Sequence, residues 1–158
     1  MAAKAKRAVA HAPRGEVRII GGAWRRRRLA FPAGEGLRPT PDRVRETVFN
    51  WLAPYLPGAA CLDLFAGSGA FGFEALSRAA ARAVLVEKRL EVVAALRLNR
   101  EQLKAGQAEV VHADAVEYLR GPAAPFDIVF LDPPYASGLL GPCVELLDTR
   151  GWLKPDAL

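Results

Sequence analysis

The segment Asp132-Pro133-Pro134-Tyr135 carries the strongest chemical signal in this 158-residue chain. Two consecutive prolines fix the backbone and remove two N–H donors, which predicts that the Pro133 carbonyl turns outward beside the Asp132 carboxylate. Two acceptors so placed can grip both N–H donors of an exocyclic amine and aim its nitrogen at an electrophile. Tyr135 adds an aromatic face on which a base swung out of its stack can lie. A Pro-Pro turn with an incidental tyrosine is common in proteins, so the segment needs a partner. That partner is Asp63 to Gly72, with glycines at Gly67, Gly69 and Gly72 in the spacing G-x-G-x-x-G. Glycine-rich turns also arise for structural reasons alone. Glu87 follows Gly67 by 20 residues, where an acid can accept two ribose hydroxyl bonds, although a solvated charge at a strand end would look the same. The glycine turn and Glu87 would equally suit a nicotinamide dinucleotide. The D-P-P-Y segment decides against it, and no histidine is well placed for hydride transfer: His112 ends a strand and His11 lies in the N-terminal tail.

Four short apolar runs must position these residues: Cys61 to Phe65, Ala83 to Val86, Glu109 to Val111 and Phe126 to Leu131. Helical stretches around Glu74, Val93 and Val116 separate them, which predicts an α/β fold with a parallel sheet covered on both faces. Ligands in such sheets bind beyond the carboxyl ends of the strands, near the switch in strand order. Functional residues should therefore follow Phe65, Val86, Val111 and Leu131. Upstream, Val17 to Ile20 and Arg28 to Phe31 flank Gly21-Gly22, predicting a short hairpin with a glycine turn. Thr40-Pro41-Asp42 predicts a helix start, with Thr40 as cap and Pro41 first, and Val44, Val48, Trp51, Leu52 and Tyr55 share one face. That helix should end near Pro54 or Pro57. The chain thus divides into a flexible basic tail at 1–16, an N-terminal extension at 17–58 and a catalytic domain at 59–158.

Composition, 51% hydrophobic and 25% charged, suits one globular core. No apolar run approaches the roughly 18 residues of a spanning helix, and the basic, Ala-rich start lacks the apolar stretch of a secretory signal. A cytoplasmic protein with no membrane partner is expected. Cys61 and Cys143 lack Cys-x-x-Cys spacing and a neighbouring His, so both read as reduced core residues, with no metal. Residues 1–45 hold 12 Lys or Arg against 3 acids, a net of +9, leaving 10 against 14, or −4, for 46–158. A basic arm on a mildly acidic body predicts capture of a polyanion, with Arg25, Arg26, Arg27 and Arg28 as its densest run. For Met1 to Arg14 a solvated tail accounts for the charge equally well.

The D-L-F-A-G-S-G segment at Asp63 to Gly69 and the D-P-P-Y segment resemble those of class I amino methyltransferases of nucleic acids. The stretch Arg38-Pro39-Thr40-Pro41-Asp42-Arg43-Val44-Arg45-Glu46-Thr47-Val48-Phe49-Asn50-Trp51-Leu52, with Arg18-Ile19-Ile20-Gly21-Gly22, is similar to the RsmD family, which methylates a guanine exocyclic amine (N2) in bacterial small-subunit ribosomal RNA. D-P-P-Y alone also fits adenine or cytosine methyltransferases of DNA or other RNA. The resemblance implies a Rossmann-like class I methyltransferase fold with S-adenosylmethionine as cofactor. It implies a monomer acting on ribosomal RNA, free or in an assembling particle. Asp63, Phe65, Gly67, Ser68 and Gly69 would hold the methionine portion, Glu87 the ribose, and Asp114 with Ala115 the adenine. Asp132, Pro133, Pro134 and Tyr135 would be catalytic. Arg18, Arg38, Thr40 and Arg45 would line the near side of the pocket or contact RNA, with Arg25 to Arg28 on phosphates. The family normally has seven strands, whereas four are visible, ending after Gly151-Trp152-Leu153-Lys154-Pro155. Missing C-terminal strands are therefore expected, with the fourth strand a bare edge. An RNA-binding fragment without a competent pocket is the rival these missing strands would produce.

Overall fold

The structure, a computed structural model, describes residues 14–34 and 39–158. Most of the expected tail and Arg38 lie outside the described residues. Two antiparallel strands, β1 (Arg14–Arg18) and β2 (Arg28–Pro32), precede helix α1 (Asp42–Leu52) and a short 3-10 turn, Ala53–Tyr55. Then come β3 (Ala60–Asp63), α2 (Ala70–Ser77), β4 (Arg82–Glu87), α3 (Leu90–Leu103), β5 (Ala108–His112), α4 (Ala115–Arg120), β6 (Ile128–Phe130) and α5 (Leu140–Thr149). The last four strands form one parallel sheet, as the alternation of apolar runs and helices predicts, in the order β5-β4-β3-β6. The chain therefore reverses direction across the sheet between β3 and β6, which makes the space above their carboxyl ends the switch point.

Helices cover both faces, as near-continuous apolar strands require. On one side Phe49, Phe73, Leu85, Leu96 and Ile128 pack with Val17, Ile19, Leu29 and Phe31 of the extension. On the other, Leu62, Val84, Leu119, Phe126 and Cys143 surround Trp152, whose indole N–H donates to the Leu119 carbonyl at 3.0 Å. Both cysteines are buried and free.

Three local expectations change. The hairpin connection is not a tight glycine turn: Arg18 pairs with Arg28, and residues 19–27 continue as a folded loop with Ile19 and Arg27 hydrogen-bonded at 2.9 Å. Gly22 belongs to that loop, at φ +81°, and a Cβ there would stand 1.9 Å from the Ser77 carbonyl oxygen. Thr40 does not cap α1, whose N-cap is Pro41 with no side-chain hydrogen bond. Nor is β6 a bare edge. Phe126 N–H donates to the Trp152 carbonyl at 2.8 Å, Lys154 N–H to Phe126 at 3.0 Å, and Val129 N–H to Leu158 at 2.9 Å. Residues 152–158 thereby satisfy much of that edge.

Candidate active site

A cleft of about 740 Å³ opens above the carboxyl ends of the parallel strands. Its floor is Leu64, Phe65, Gly67 and Val86, one side carries Glu87, Lys88, Arg89, Ala113, Asp114 and Ala115, and the opposite side Asp132 to Tyr135 with Ser137 and Leu139. Gly34 of the extension closes over it. The volume lies within the roughly 300–1,000 Å³ typical of small-molecule sites.

The glycine turn explains its own composition. Gly69 is the N-cap of α2 at φ +81°, a left-handed conformation that costs a side-chain-bearing residue energy, and it leaves the helix without a side-chain cap. Asp63, at the end of β3, supplies the missing acceptor: its Oδ2 takes the Gly72 N–H at 3.0 Å. Burial pushes the Asp63 carboxyl up to about 7, the Gly72 N–H pulls it down, and the negative charges of Asp132 and Glu87 push it up again. Glu87 reaches across from β4, with Oε2 accepting from Gly67 N–H at 3.0 Å and Oε1 from Arg89 N–H at 3.1 Å. Asp114 caps α4, accepting from Val116 and Glu117 N–H at 3.0 and 3.2 Å through one oxygen. Carboxylates at successive strand ends thus fix the loops around the cleft.

Among the residues singled out from sequence, Phe65, Gly67, Glu87, Asp114, Ala115 and Asp132 to Tyr135 line the cleft. Asp63, Ser68 and Gly69 are buried and do not line it. Tyr135 is fully exposed, a geometry suited to stacking against an incoming base. Thr40 stands behind Asp132 and donates its hydroxyl to Oδ2 at 3.3 Å. Arg45 is fully buried, with Nη2 donating to the Arg18 carbonyl at 3.0 Å and to Asp42 Oδ1 at 2.6 Å, so it is a strut within the protein and no surface for RNA. Arg18 and Arg28 pair at the surface with Asp42 and Glu16 at 3.4 and 3.3 Å. Arg25, Arg26 and Arg27 lie on the hairpin loop, which packs on the carboxyl-terminal ends of α2 and α3 through Ser77 and Gln102. Those ends face away from the cleft, since the helices run back from the strand ends.

Sequence reasoning missed Lys88, Arg89, Ala113, Ser137, Leu139 and Gly34. The first three follow strand ends and were open to the same rule that found Glu87 and Asp114. Nothing in the local pattern marks the others. Among the described residues no group of three His, Cys, Asp or Glu is arranged to hold a metal, and no helix is long and apolar enough to cross a membrane.

Residues 17–158 match the family described as Conserved hypothetical protein 95. The chain is 53% identical over 148 residues to Ribosomal RNA small subunit methyltransferase D of Escherichia coli, covering 94% of this chain and 75% of that protein. The Haemophilus influenzae protein of the same name is 49% identical, covering 92% and 77%. The solved structure of Escherichia coli yhhF superposes with a TM-score of 0.85 at 51% identity, covering 90% of this chain and 78% of that one.

Proposed function

This chain belongs to that family, the RsmD methyltransferases, and we propose that it transfers a methyl group from S-adenosylmethionine to the N2 amine of a guanine in small-subunit ribosomal RNA. One observation carries the proposal: the Asp132-Pro133-Pro134-Tyr135 segment opens into the same cleft as Glu87 and the glycine turn, on the strand beside it. A dinucleotide dehydrogenase has no use for that pairing. The substrate follows from the relatives, both named as methyltransferases of small-subunit ribosomal RNA.

The residues present fit an adenosine-bearing cofactor. Glu87 would take ribose hydroxyls, Asp114 and Ala115 would border the adenine, and Phe65 with Gly67 would hold the methionine portion, with Asp63 buried behind the turn and fixing it through Gly72 N–H. Bound there, S-adenosylmethionine supplies an electrophilic sulfonium methyl. Asp132 and the Pro133 carbonyl would grip the two N–H groups of the acceptor amine. Both acceptors would stabilise the positive charge that develops on nitrogen as the S–CH3 bond breaks and its electron pair stays on the neutral thioether sulfur. Asp132 would help the methylated amine lose its proton, without a metal or a covalent intermediate. Tyr135 would hold the flipped base.

Incubation with radiolabelled S-adenosylmethionine and small-subunit particles, free ribosomal RNA or DNA tests this directly. Label should enter ribosomal RNA as N2-methylguanine, and Asp132→Ala should abolish it while sparing cofactor binding. Label appearing only on adenine, cytosine or DNA would overturn the assignment.

A further inference from the structure

The N-terminal extension is tied to the catalytic domain through buried charge. Glu74, in the middle of α2, is fully buried, and its carboxylate accepts from Ile20 N–H at 2.8 Å and Gly21 N–H at 3.1 Å. Facing it at 3.6 Å is Nη1 of Arg45, which has no hydrogen-bond partner of its own among the described residues. The same guanidinium donates through Nε to the Thr40 carbonyl at 3.4 Å. Thr40 in turn donates its hydroxyl to Oδ2 of Asp132 at 3.3 Å. A continuous path of polar contacts therefore leads from the helix behind the glycine turn to the carboxylate at the mouth of the cleft.

We propose that Thr40 is a positioning residue for Asp132, and that the buried Arg45–Glu74 pair holds Thr40 in place. The inference rests on Asp132 being the group that grips the acceptor amine. An exposed aspartate samples several rotamers and offers either oxygen to a partner. A hydroxyl on Oδ2 removes that freedom and reserves Oδ1 for the amine. Thr40 is itself restricted on both sides, because Pro41 disfavours helical backbone before it and Arg45 holds its carbonyl. A buried arginine facing a buried glutamate is costly to keep unless both are further hydrogen-bonded. Here Glu74 bonds Ile20 and Gly21 of the extension as well as Arg78 at its own helix end, while Arg45 bonds Thr40, Arg18 and Asp42. The extension thereby shapes the active site through Asp132 as well as through Gly34 at the cleft.

The test compares Thr40→Val, Thr40→Ser and Asp132→Ala, measuring kcat, KM for RNA and cofactor affinity in each. Thr40→Val should lower kcat on the order of tenfold or more, the scale of one hydrogen bond to a charged group. KM for RNA and cofactor affinity should stay within about twofold, and Thr40→Ser should restore most of the rate. Arg45→Lys should lower kcat in the same direction, and its combination with Thr40→Val should be no worse than the more severe single variant, as expected for residues on one path. If Arg45→Lys does not fold, the Val and Ser variants at position 40 decide alone. Full activity of Thr40→Val beside an inactive Asp132→Ala would overturn the inference. So would a rise in KM for RNA at unchanged kcat, which would make Thr40 an RNA contact. Full activity of Asp132→Ala would instead sink the underlying assignment of Asp132.

Discussion

Asp63 should make cofactor binding depend on pH near neutrality. Its carboxyl is buried at the end of β3, capped on one oxygen by Gly72 and pushed up to about 7. Asp63 lies behind the cleft lining, so the cofactor's cationic α-amino group would act on it through its field and not by direct contact, favouring the ionised carboxylate, and binding should release a proton. If only the ionised form binds, a group titrating at about 7 weakens affinity on the order of tenfold at pH 6 and leaves it near its full value at pH 8. Affinity should therefore rise on the order of tenfold across that interval. Calorimetric titration with S-adenosylhomocysteine, in buffers of different ionisation enthalpy, reads both the affinity and the released proton. Asp63→Asn keeps an acceptor for Gly72 N–H but removes the titration, so its affinity should be flat between pH 6 and 8. A flat profile for the wild type, or an equally steep one for Asp63→Asn, would refute the coupling. The same carboxyl also sets a stability trend. Because its folded value of about 7 lies above its ordinary 3.8, its favourable contribution is complete below about pH 4 and is lost as pH rises through 7. The gap is worth roughly 4 kcal/mol, so thermal unfolding should show the wild type losing ground to Asp63→Asn over that window.

Tyr135→Ala should raise KM for RNA by an amount equivalent to ~1–3 kcal/mol of base stacking and leave cofactor affinity unchanged, as steady-state kinetics and calorimetry would show. Replacing Arg25, Arg26, Arg27 and Arg28 with Ala should weaken RNA affinity for all sequences alike and flatten its salt dependence by about one unit of slope for each phosphate no longer neutralised, measured by filter binding at several ionic strengths. Since that loop faces away from the cleft, kcat at saturating RNA should not change. Gly22→Ala should destabilise the protein by roughly 2–4 kcal/mol in denaturant unfolding, from a positive φ and a clash with the Ser77 carbonyl together. Trp152→Ala should cost ~3–5 kcal/mol by the same measurement, because it empties the core beneath α4 and α5.

The parts legible in the sequence were those governed by short-range rules. Each of the four parallel strands fell on a predicted apolar run, within about two residues at either end, because β3 and β4, buried on both faces, read as hydrophobic stretches, while the half-exposed β5 is marked by Val110 and Val111 alone. The residues just past those strands line the cleft for the same reason. What stayed hidden depends on partners far away in the chain. Val44, Trp51 and Tyr55 mark the apolar stripe of α1, yet all three are exposed, and the buried face is Arg45 and Phe49. Hydrophobic periodicity counts an arginine as a surface residue, and Glu74, 29 positions later and equally buried, together with Asp42 and the Arg18 and Thr40 carbonyls, reverses that assignment. Thr40 was misplaced by a similar logic. Its position before Pro41 has the chemistry of a helix cap, but the N-cap falls on Pro41, which has no side-chain acceptor, and the Thr40 hydroxyl is turned to Asp132 instead. The helix goes without a side-chain cap, and the carboxylate gains a hydroxyl partner. That exchange trades local helix stability, typically ~1 kcal/mol for a cap, for a fixed geometry at the cleft, which is where rules of sequence and propensity are expected to yield to function.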